Sequence, residues 1–124
     1  MPRPVHFDLT AENPERAVAF YGDVFGWQFQ KWDGGGPFEY WLITTGQNGE
    51  PGIDGGLSRR QESSGGITNT ISVPSLDEYI QRITQAGGKV VAPRMAIPTV
   101  GWFAAFSDPE GNKFALMESD PHAS

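Results

Sequence analysis

Two side chains near the start of the sequence could do chemistry together. His6 and Asp8 are separated by one residue in the segment Val5-His6-Phe7-Asp8-Leu9, where apolar and polar residues alternate. Because neighbouring side chains of a strand point to opposite faces, a strand here places His6 and Asp8 on one face. A carboxylate beside an imidazole holds the ring in one tautomer and makes an acid–base pair near neutral pH. The pair could equally be hydrogen-bonded polar residues that line a cavity, and both interpretations stay open.

Other kinds of catalytic site find little support in the sequence. The chain has no cysteine, which rules out disulfides, thiolate metal sites and cysteine nucleophiles. The second histidine, His122, lies two residues from the end, and we expect it to belong to a frayed tail. No nucleophile-elbow motif accompanies the serines, so a Ser-His-Asp hydrolase is not expected. The glycines Gly34-Gly35-Gly36 lack the lysine of a phosphate-binding loop and predict a plain hairpin loop.

Length and charge limit the class of protein and its partners. A chain of 124 residues with 38% hydrophobic residues is long enough for one packed domain, and we expect residues 1–124 to form it. The formal charge of -6 would repel a phosphate backbone, so we expect no nucleic-acid partner. The sequence has no apolar run that suits a bilayer and no apolar segment near Met1 that suits a signal peptide, so we expect a cytoplasmic protein and no membrane.

The first half of the chain reads as one strand, one helix and three further strands. Asn13-Pro14-Glu15 is typical of a helix start, and the helix should run to Phe25 and end at Gly26. Its apolar residues recur at helical spacing, and we expect this face to pack on a sheet: Ala17, Phe20, Tyr21, Val24 and Phe25. Three strands are predicted at residues 27–32, 38–44 and 52–57, separated by turns at 33–37 and 46–49.

The second half repeats the same order. A strand at residues 67–73 precedes the capping box Ser75-Leu76-Asp77-Glu78, which predicts a helix that stops at Gly87-Gly88. Strands follow at residues 89–92, where Pro93 should end the strand, and at 102–107 and 113–118. The polar stretch from Arg59 to Gly66 is typical of a connection. The sequence therefore predicts two βαβββ modules, at about 1–60 and 66–120, in the α+β class.

A family resemblance extends over nearly the whole chain. The order and spacing of several short segments resemble those of the vicinal-oxygen-chelate superfamily, which includes glyoxalases, bleomycin resistance proteins and dioxygenases. These segments are His6-Phe7-Asp8, Asn13-Pro14-Glu15-Arg16-Ala17, Phe20-Tyr21, Val24-Phe25-Gly26-Trp27, Gly55-Gly56-Leu57, Val73-Pro74-Ser75-Leu76-Asp77, Ala86-Gly87-Gly88-Lys89-Val90, Val100-Gly101-Trp102-Phe103-Ala104 and Asp108-Pro109-Glu110-Gly111-Asn112. The resemblance implies two paired modules, a cupped and incompletely closed eight-stranded sheet around a ligand cavity, and commonly a homodimer.

The metal site that the resemblance implies is incomplete in this sequence. His6 matches the first ligand position of the family, but Thr68 and Ala115 stand where two further ligands are expected. Glu118 lies three residues beyond Ala115, so alternation points it to the opposite face, and Asp54 is the nearest substitute. A divalent ion normally needs three or more protein ligands. We therefore predict no metal site and no cofactor.

The cavity that the two modules enclose is expected to hold a small organic ligand. Most aromatic residues should be core, but Trp41 and Trp102 are predicted to stack against a planar ligand. The predicted ligand-binding set is His6, Asp8, Trp41, Thr68, Thr70, Trp102 and Ala115, with His6 and Asp8 as candidate catalytic residues. Two alternatives remain: a metal-dependent lyase, isomerase or dioxygenase of the same superfamily, and sequestration of a cationic antibiotic as in bleomycin resistance.

Overall fold

The computed structural model describes residues 2–32, 39–60 and 66–124. Its chain divides into two compact units, one of residues 6–67 and one of residues 68–124 together with the first residues through Val5. Among the predicted features, the turn at 33–37 with its three glycines, the start of the next strand at Phe38 and most of the connection at 59–66 lie outside the described residues.

The unit of residues 6–67 has the predicted order of one strand, one helix and three strands. Its elements are β1 (Arg3–Ala11, whose first residues belong to the other unit), α1 (Pro14–Phe25), β2 (Gln28–Lys31), β3 (Tyr40–Thr44) and β4 (Asp54–Arg59). The strands lie in the order β2-β3-β4-β1, with β1 parallel to β4 and the other pairs antiparallel. The side chain of Asn13 accepts from the backbone N–H of Arg16, and Gly26 adopts the left-handed conformation, so both predicted ends of α1 are confirmed.

One face of this sheet packs against α1 and forms the core of the unit. Four buried residues make this core: Leu9, Trp41, Ile43 and Leu57. Ala17, Val18 and Tyr21 of α1 pack against it. The expectation that the whole apolar face of α1 packs on a sheet was wrong, because Phe20, Val24 and Phe25 are 55%, 53% and 60% exposed. A helix presents only one stripe to a flat sheet, and these three residues flank that stripe.

The second unit repeats this arrangement. Its elements are β5 (Ile67–Ser72), α2 (Leu76–Gln85), β6 (Lys89–Ile97), β7 (Gly101–Ser107) and β8 (Lys113–Ser119). The strands lie in the order β5-β8-β7-β6, with β5 parallel to β8. Its core consists of Val73, Leu76, Ala104 and Leu116, with α2 packed against them. The α+β class and the two βαβββ modules are thus confirmed.

Two features of the second unit correct the sequence predictions. β6 does not stop before Pro93 but continues to Ile97, with register shifts between Val90 and Met95. A proline that has no N–H to donate is accommodated because β6 ends the strand order of this unit and its pairing is irregular there. The tail around His122 is not frayed, because the backbone N–H of Thr99 donates to Ala123 O at 3.1 Å and Ala123 is 3% exposed.

Candidate functional site

The sheet of the first unit places His6 and Asp8 together on the face opposite α1. In the β1–β4 register His6 pairs with Asp54 and Asp8 pairs with Gly56, so these four residues share that face. His6 Nε2 lies 3.5 Å from Asp8 Oδ1, and the two side chains are 33% and 31% exposed. The predicted side-by-side placement of His6 and Asp8 is therefore observed.

A third residue, Tyr40, joins this pair from β3. Its hydroxyl donates to Asp8 Oδ1 at 2.9 Å and lies 3.1 Å from His6 Nε2. The ring of Tyr40 packs edge to face against Trp32, with ring centroids 5.9 Å apart, and the backbone N–H of Trp32 donates to Tyr40 O at 2.8 Å. These contacts fix the phenol between the imidazole and the carboxylate.

Burial and charge keep the Tyr40 phenol protonated. Desolvation within the fold raises the pKa of Tyr40 well above its usual range, and the Asp8 carboxylate beside it raises that pKa further. Deprotonation would break the hydrogen bond from the Tyr40 hydroxyl to Asp8 and would place two negative charges side by side. The hydroxyl therefore keeps its proton and acts as a hydrogen-bond donor.

A glycine makes room for this arrangement. Gly56 of β4 lies beneath the Tyr40 ring, and a Cβ at this position would overlap the Tyr40 hydroxyl. Leu42, the Cα partner of Gly56 on β3, lies on the same face and is 40% exposed. The face therefore combines three hydrogen-bonded polar side chains with a partly exposed apolar side chain, and small-molecule sites combine polar and apolar groups in this way.

Tyr40 and Gly56 were missed as site residues in the sequence, although Tyr40 carries a signal. Tyr40 precedes Trp41 on a strand, so the two must face opposite ways, and the sequence favoured Trp41 as the ligand contact. Trp41 is instead 8% exposed in the core beneath α1. It lies on the face opposite His6 and Asp8, and its role as a ligand contact stays a prediction that this position does not support.

The predicted site residues of the second unit likewise lie on two opposite faces of its sheet. Thr70 and Ala115 are Cα partners across β5 and β8, and both are nearly fully buried. Thr68 shares their face by alternation along β5. Trp102 lies on the other face, against the core, where its Nε1 donates to Asp120 Oδ2 at 3.0 Å and the Arg94 guanidinium lies 4.2 Å from its ring centroid.

The residues of the implied metal site do not fit a divalent ion. Asp54, the substitute ligand, is engaged by Thr45, whose backbone N–H and hydroxyl lie 2.9 and 3.2 Å from its Oδ1. Glu118 accepts from the backbone N–H of Leu76 at 2.7 Å and thus caps α2. Within residues 2–32, 39–60 and 66–124, no three His, Cys, Asp or Glu side chains are grouped as metal ligands would be. The lack of a resident metal nevertheless stays a prediction.

A separate cleft of about 510 Å³ lies beside α1 in the first unit. Its lining includes Leu9, Phe20, Leu57 and Ile67, and none of His6, Asp8 and Tyr40 contributes to it. The polar face described above is therefore not part of the wall of that cleft. No helix among the described residues is long and apolar enough to cross a bilayer.

Comparison with known proteins gives a consistent family and fold. Residues 3–116 match the family model for the Glyoxalase/Bleomycin resistance protein/Dioxygenase superfamily. A Glyoxylase-like domain-containing protein of Didymella fabae is 32% identical over 112 residues, which cover 88% of each chain. The Putative glyoxylase CFP32 of Mycobacterium tuberculosis is 28% identical over 124 residues, covering 92% of this chain. The match spans only 43% of the CFP32 length.

Solved structures with low sequence identity share the fold. The methylmalonyl-CoA epimerase of Mycobacterium tuberculosis superposes with a TM-score of 0.70 at 17% identity, over 95% of this chain and 88% of the epimerase. The hypothetical protein BH1468 of Bacillus halodurans gives a TM-score of 0.74 at 13% identity, over 99% and 98% of the two chains. At these identities the likeness shows the fold alone.

Proposed function

Because the chain belongs to the glyoxalase/bleomycin resistance protein/dioxygenase superfamily, we propose that it binds a small organic ligand on the sheet face that carries His6, Asp8 and Tyr40, without a resident divalent metal. One observation carries the proposal. Tyr40 joins His6 and Asp8 into a hydrogen-bonded set that is one-third exposed and faces away from the helix.

A sheet face that meets only solvent is polar, but its side chains do not have to orient one another. A tyrosine, a carboxylate and an imidazole brought together from two strands orient one another, and each remains partly open to solvent. Leu42 lies on the same face, is 40% exposed and offers apolar contact. A small organic molecule would place its apolar surface against Leu42 and direct its polar atoms to His6.

A combined metal and ligand measurement tests the proposal. Protein purified without chelators is assayed for nickel, zinc, manganese and iron, and then titrated calorimetrically with a panel of phenols, α-hydroxyketones, 1,2-dicarbonyls and aromatic carboxylates. We expect no stoichiometric metal and at least one binder in the panel. His6→Ala should weaken that binder at least about tenfold, because a buried hydrogen bond to the ligand is lost. His122→Ala, which replaces the only other histidine, is the matched control and should bind normally.

Other outcomes would support the alternative functions. Stoichiometric metal that disappears in His6→Ala but not in His122→Ala would indicate a metal-dependent lyase, isomerase or dioxygenase. Binding of a cationic compound that weakens steeply with salt would indicate sequestration by an acidic surface. Binding that survives His6→Ala unchanged would refute the site proposed here.

We also propose a homodimer, as the family resemblance implies. Light scattering of the eluting peak in size-exclusion chromatography measures the mass directly, against the 13.5 kDa of one chain. A monomer at micromolar concentration would contradict this proposal without affecting the ligand site.

A further inference from the structure

The Tyr40 hydroxyl has one hydrogen, and the atoms around its oxygen indicate where that hydrogen points. Asp8 Oδ1 lies 2.9 Å from Tyr40 Oη, and an ionised carboxylate can only accept a hydrogen bond. The raised pKa of Tyr40 means that its proton is retained. Tyr40 therefore donates to Asp8, and the remaining lone pairs of its oxygen are available as acceptors.

The direction of this bond determines which ring nitrogen of His6 carries a proton. His6 Nε2 lies 3.1 Å from the same Tyr40 oxygen, which has no second hydrogen to donate. A hydrogen bond between them requires Nε2–H as the donor, and Asp8 Oδ1 at 3.5 Å favours the same proton electrostatically. In the neutral ring one nitrogen is a donor and the other an acceptor, so Nδ1 carries the lone pair.

We infer that Tyr40 and Asp8 hold His6 in the Nε2-protonated tautomer, so that Nδ1 is the acceptor offered to a ligand. Tyr40 is thus a positioning residue, and Asp8 sets the direction of the whole hydrogen-bond chain. None of the described residues donates a hydrogen bond to His6 Nδ1. Within this part of the chain, the Nδ1 lone pair is therefore available to a ligand.

The tautomer predicts the chemical class of the ligand, and this step rests on the proposed function. A ligand that contacts Nδ1 must present a hydrogen-bond donor, such as a hydroxyl, an enol or an N–H group. A carboxylate ligand would meet the Nδ1 lone pair and the Asp8 charge, both of which repel an anion. The site therefore selects neutral hydroxyl-bearing or N–H-bearing organic molecules over organic acids.

Histidine nitrogen NMR tests the tautomer without any ligand. The chain has two histidines, so His122→Ala assigns the ring signals of His6 in a long-range proton–nitrogen correlation spectrum. The spectrum is recorded at an alkaline pH above which the ring shifts no longer change, so that the ring is neutral. We expect the limiting shifts of one tautomer for His6, with a protonated Nε2 and an unprotonated Nδ1. His122 provides the reference for an exposed ring.

Two variants should change the tautomer of the His6 ring, and a third should leave it unchanged. In Asp8→Asn the new amide can donate to Tyr40 Oη, so the hydroxyl becomes free to donate to Nε2 and the Nδ1-protonated form appears. Tyr40→Phe removes the hydroxyl that accepts from Nε2, and the His6 shifts should move towards those of His122. Asp54→Asn is the matched control, because Asp54 hydrogen-bonds to Thr45 rather than to this set.

The outcomes separate the tautomer from the ligand proposal. Unprotonated Nε2 in the wild-type protein would overturn the inference, even if a variant failed to fold. Unchanged His6 shifts in folded Asp8→Asn and Tyr40→Phe would show that these residues do not set the tautomer. For the binding arm, a phenol from the panel is compared with its methyl ether, and the ether should bind at least about tenfold more weakly. If the tautomer is confirmed but the phenol and its methyl ether bind equally well, only the proposed ligand class is refuted.

Discussion

The Tyr40 hydroxyl occupies the space that a side chain at Gly56 would need. Tyr40 and Gly56 lie on neighbouring strands, and the missing Cβ lets the phenol lie flat enough to reach Asp8 and His6. The glycine is thus part of the polar set, although it contributes no functional group.

Gly56→Ala should therefore damage both the fold and the site. The added methyl group overlaps Tyr40, and we expect a loss of about 1–3 kcal/mol in the free energy of unfolding. Chemical denaturation measures this loss, and the His6 ring signals should change with it. Gly22→Ala within α1 is the control, because the added Cβ would lie at an ordinary 3.6 Å from Trp27 O. That control should gain about 0.5–1 kcal/mol from helix propensity. A neutral Gly56→Ala would contradict the overlap.

Alkaline pH should destabilise the wild-type protein through Tyr40. Its pKa in the folded state is raised above the unfolded value of about 10, so the folded state keeps a proton that the unfolded state releases. The stabilisation is complete below pH about 10 and is lost above it, at up to about 1.4 kcal/mol per pH unit. Denaturation between pH 8 and 11.5, about two units below to about 1.5 above the unfolded tyrosine pKa, measures this slope. Tyr40→Phe should show a shallower decline, and parallel curves for the two proteins would exclude the effect.

Two leucines on neighbouring strands should respond differently to truncation. Leu57 is fully buried in the core under α1, and Leu57→Ala should cost about 2–5 kcal/mol. Leu42 lies on the other face with 40% exposure, so Leu42→Ala should change stability by only about 0.5 kcal/mol. Thermal and urea denaturation of the pair give this comparison directly. Similar losses at both positions would mean that the assignment of the two sheet faces is incorrect.

Glu118 should act as a helix cap rather than as a metal ligand. It accepts from the backbone N–H of Leu76, the first residue of α2, and Glu118→Ala should cost about 0.5–2 kcal/mol. Glu110→Ala in the exposed turn is the control and should stay within about 0.5 kcal/mol. If adding zinc or nickel stabilised the wild-type protein but not Glu118→Ala, a ligand role would replace the capping role.

The local elements of the fold could be predicted from the sequence because their signals are local. The asparagine before Pro14, the serine before Leu76 and the glycine after Phe25 each satisfy or permit backbone geometry within a few residues. The alternation of His6 and Asp8 likewise predicted that they share a face, because the two-residue period of a strand is a property of the backbone. The repeated order of these elements was sufficient to indicate two modules.

The tertiary structure decided which strand face became the core and which became the candidate site. Alternation predicts that Tyr40 and Trp41 face opposite ways, but only the packing of α1 determines that Trp41 lies in the core and Tyr40 lies on the face of His6 and Asp8. The contact between Tyr40 and Asp8 joins residues 32 positions apart, and no local signal predicts it. The continuation of β6 through Pro93 depends on its place in the strand order and on irregular pairing with β7. Sequence periodicity thus determined the elements and their faces, while packing between distant segments determined which of those faces carries the candidate site.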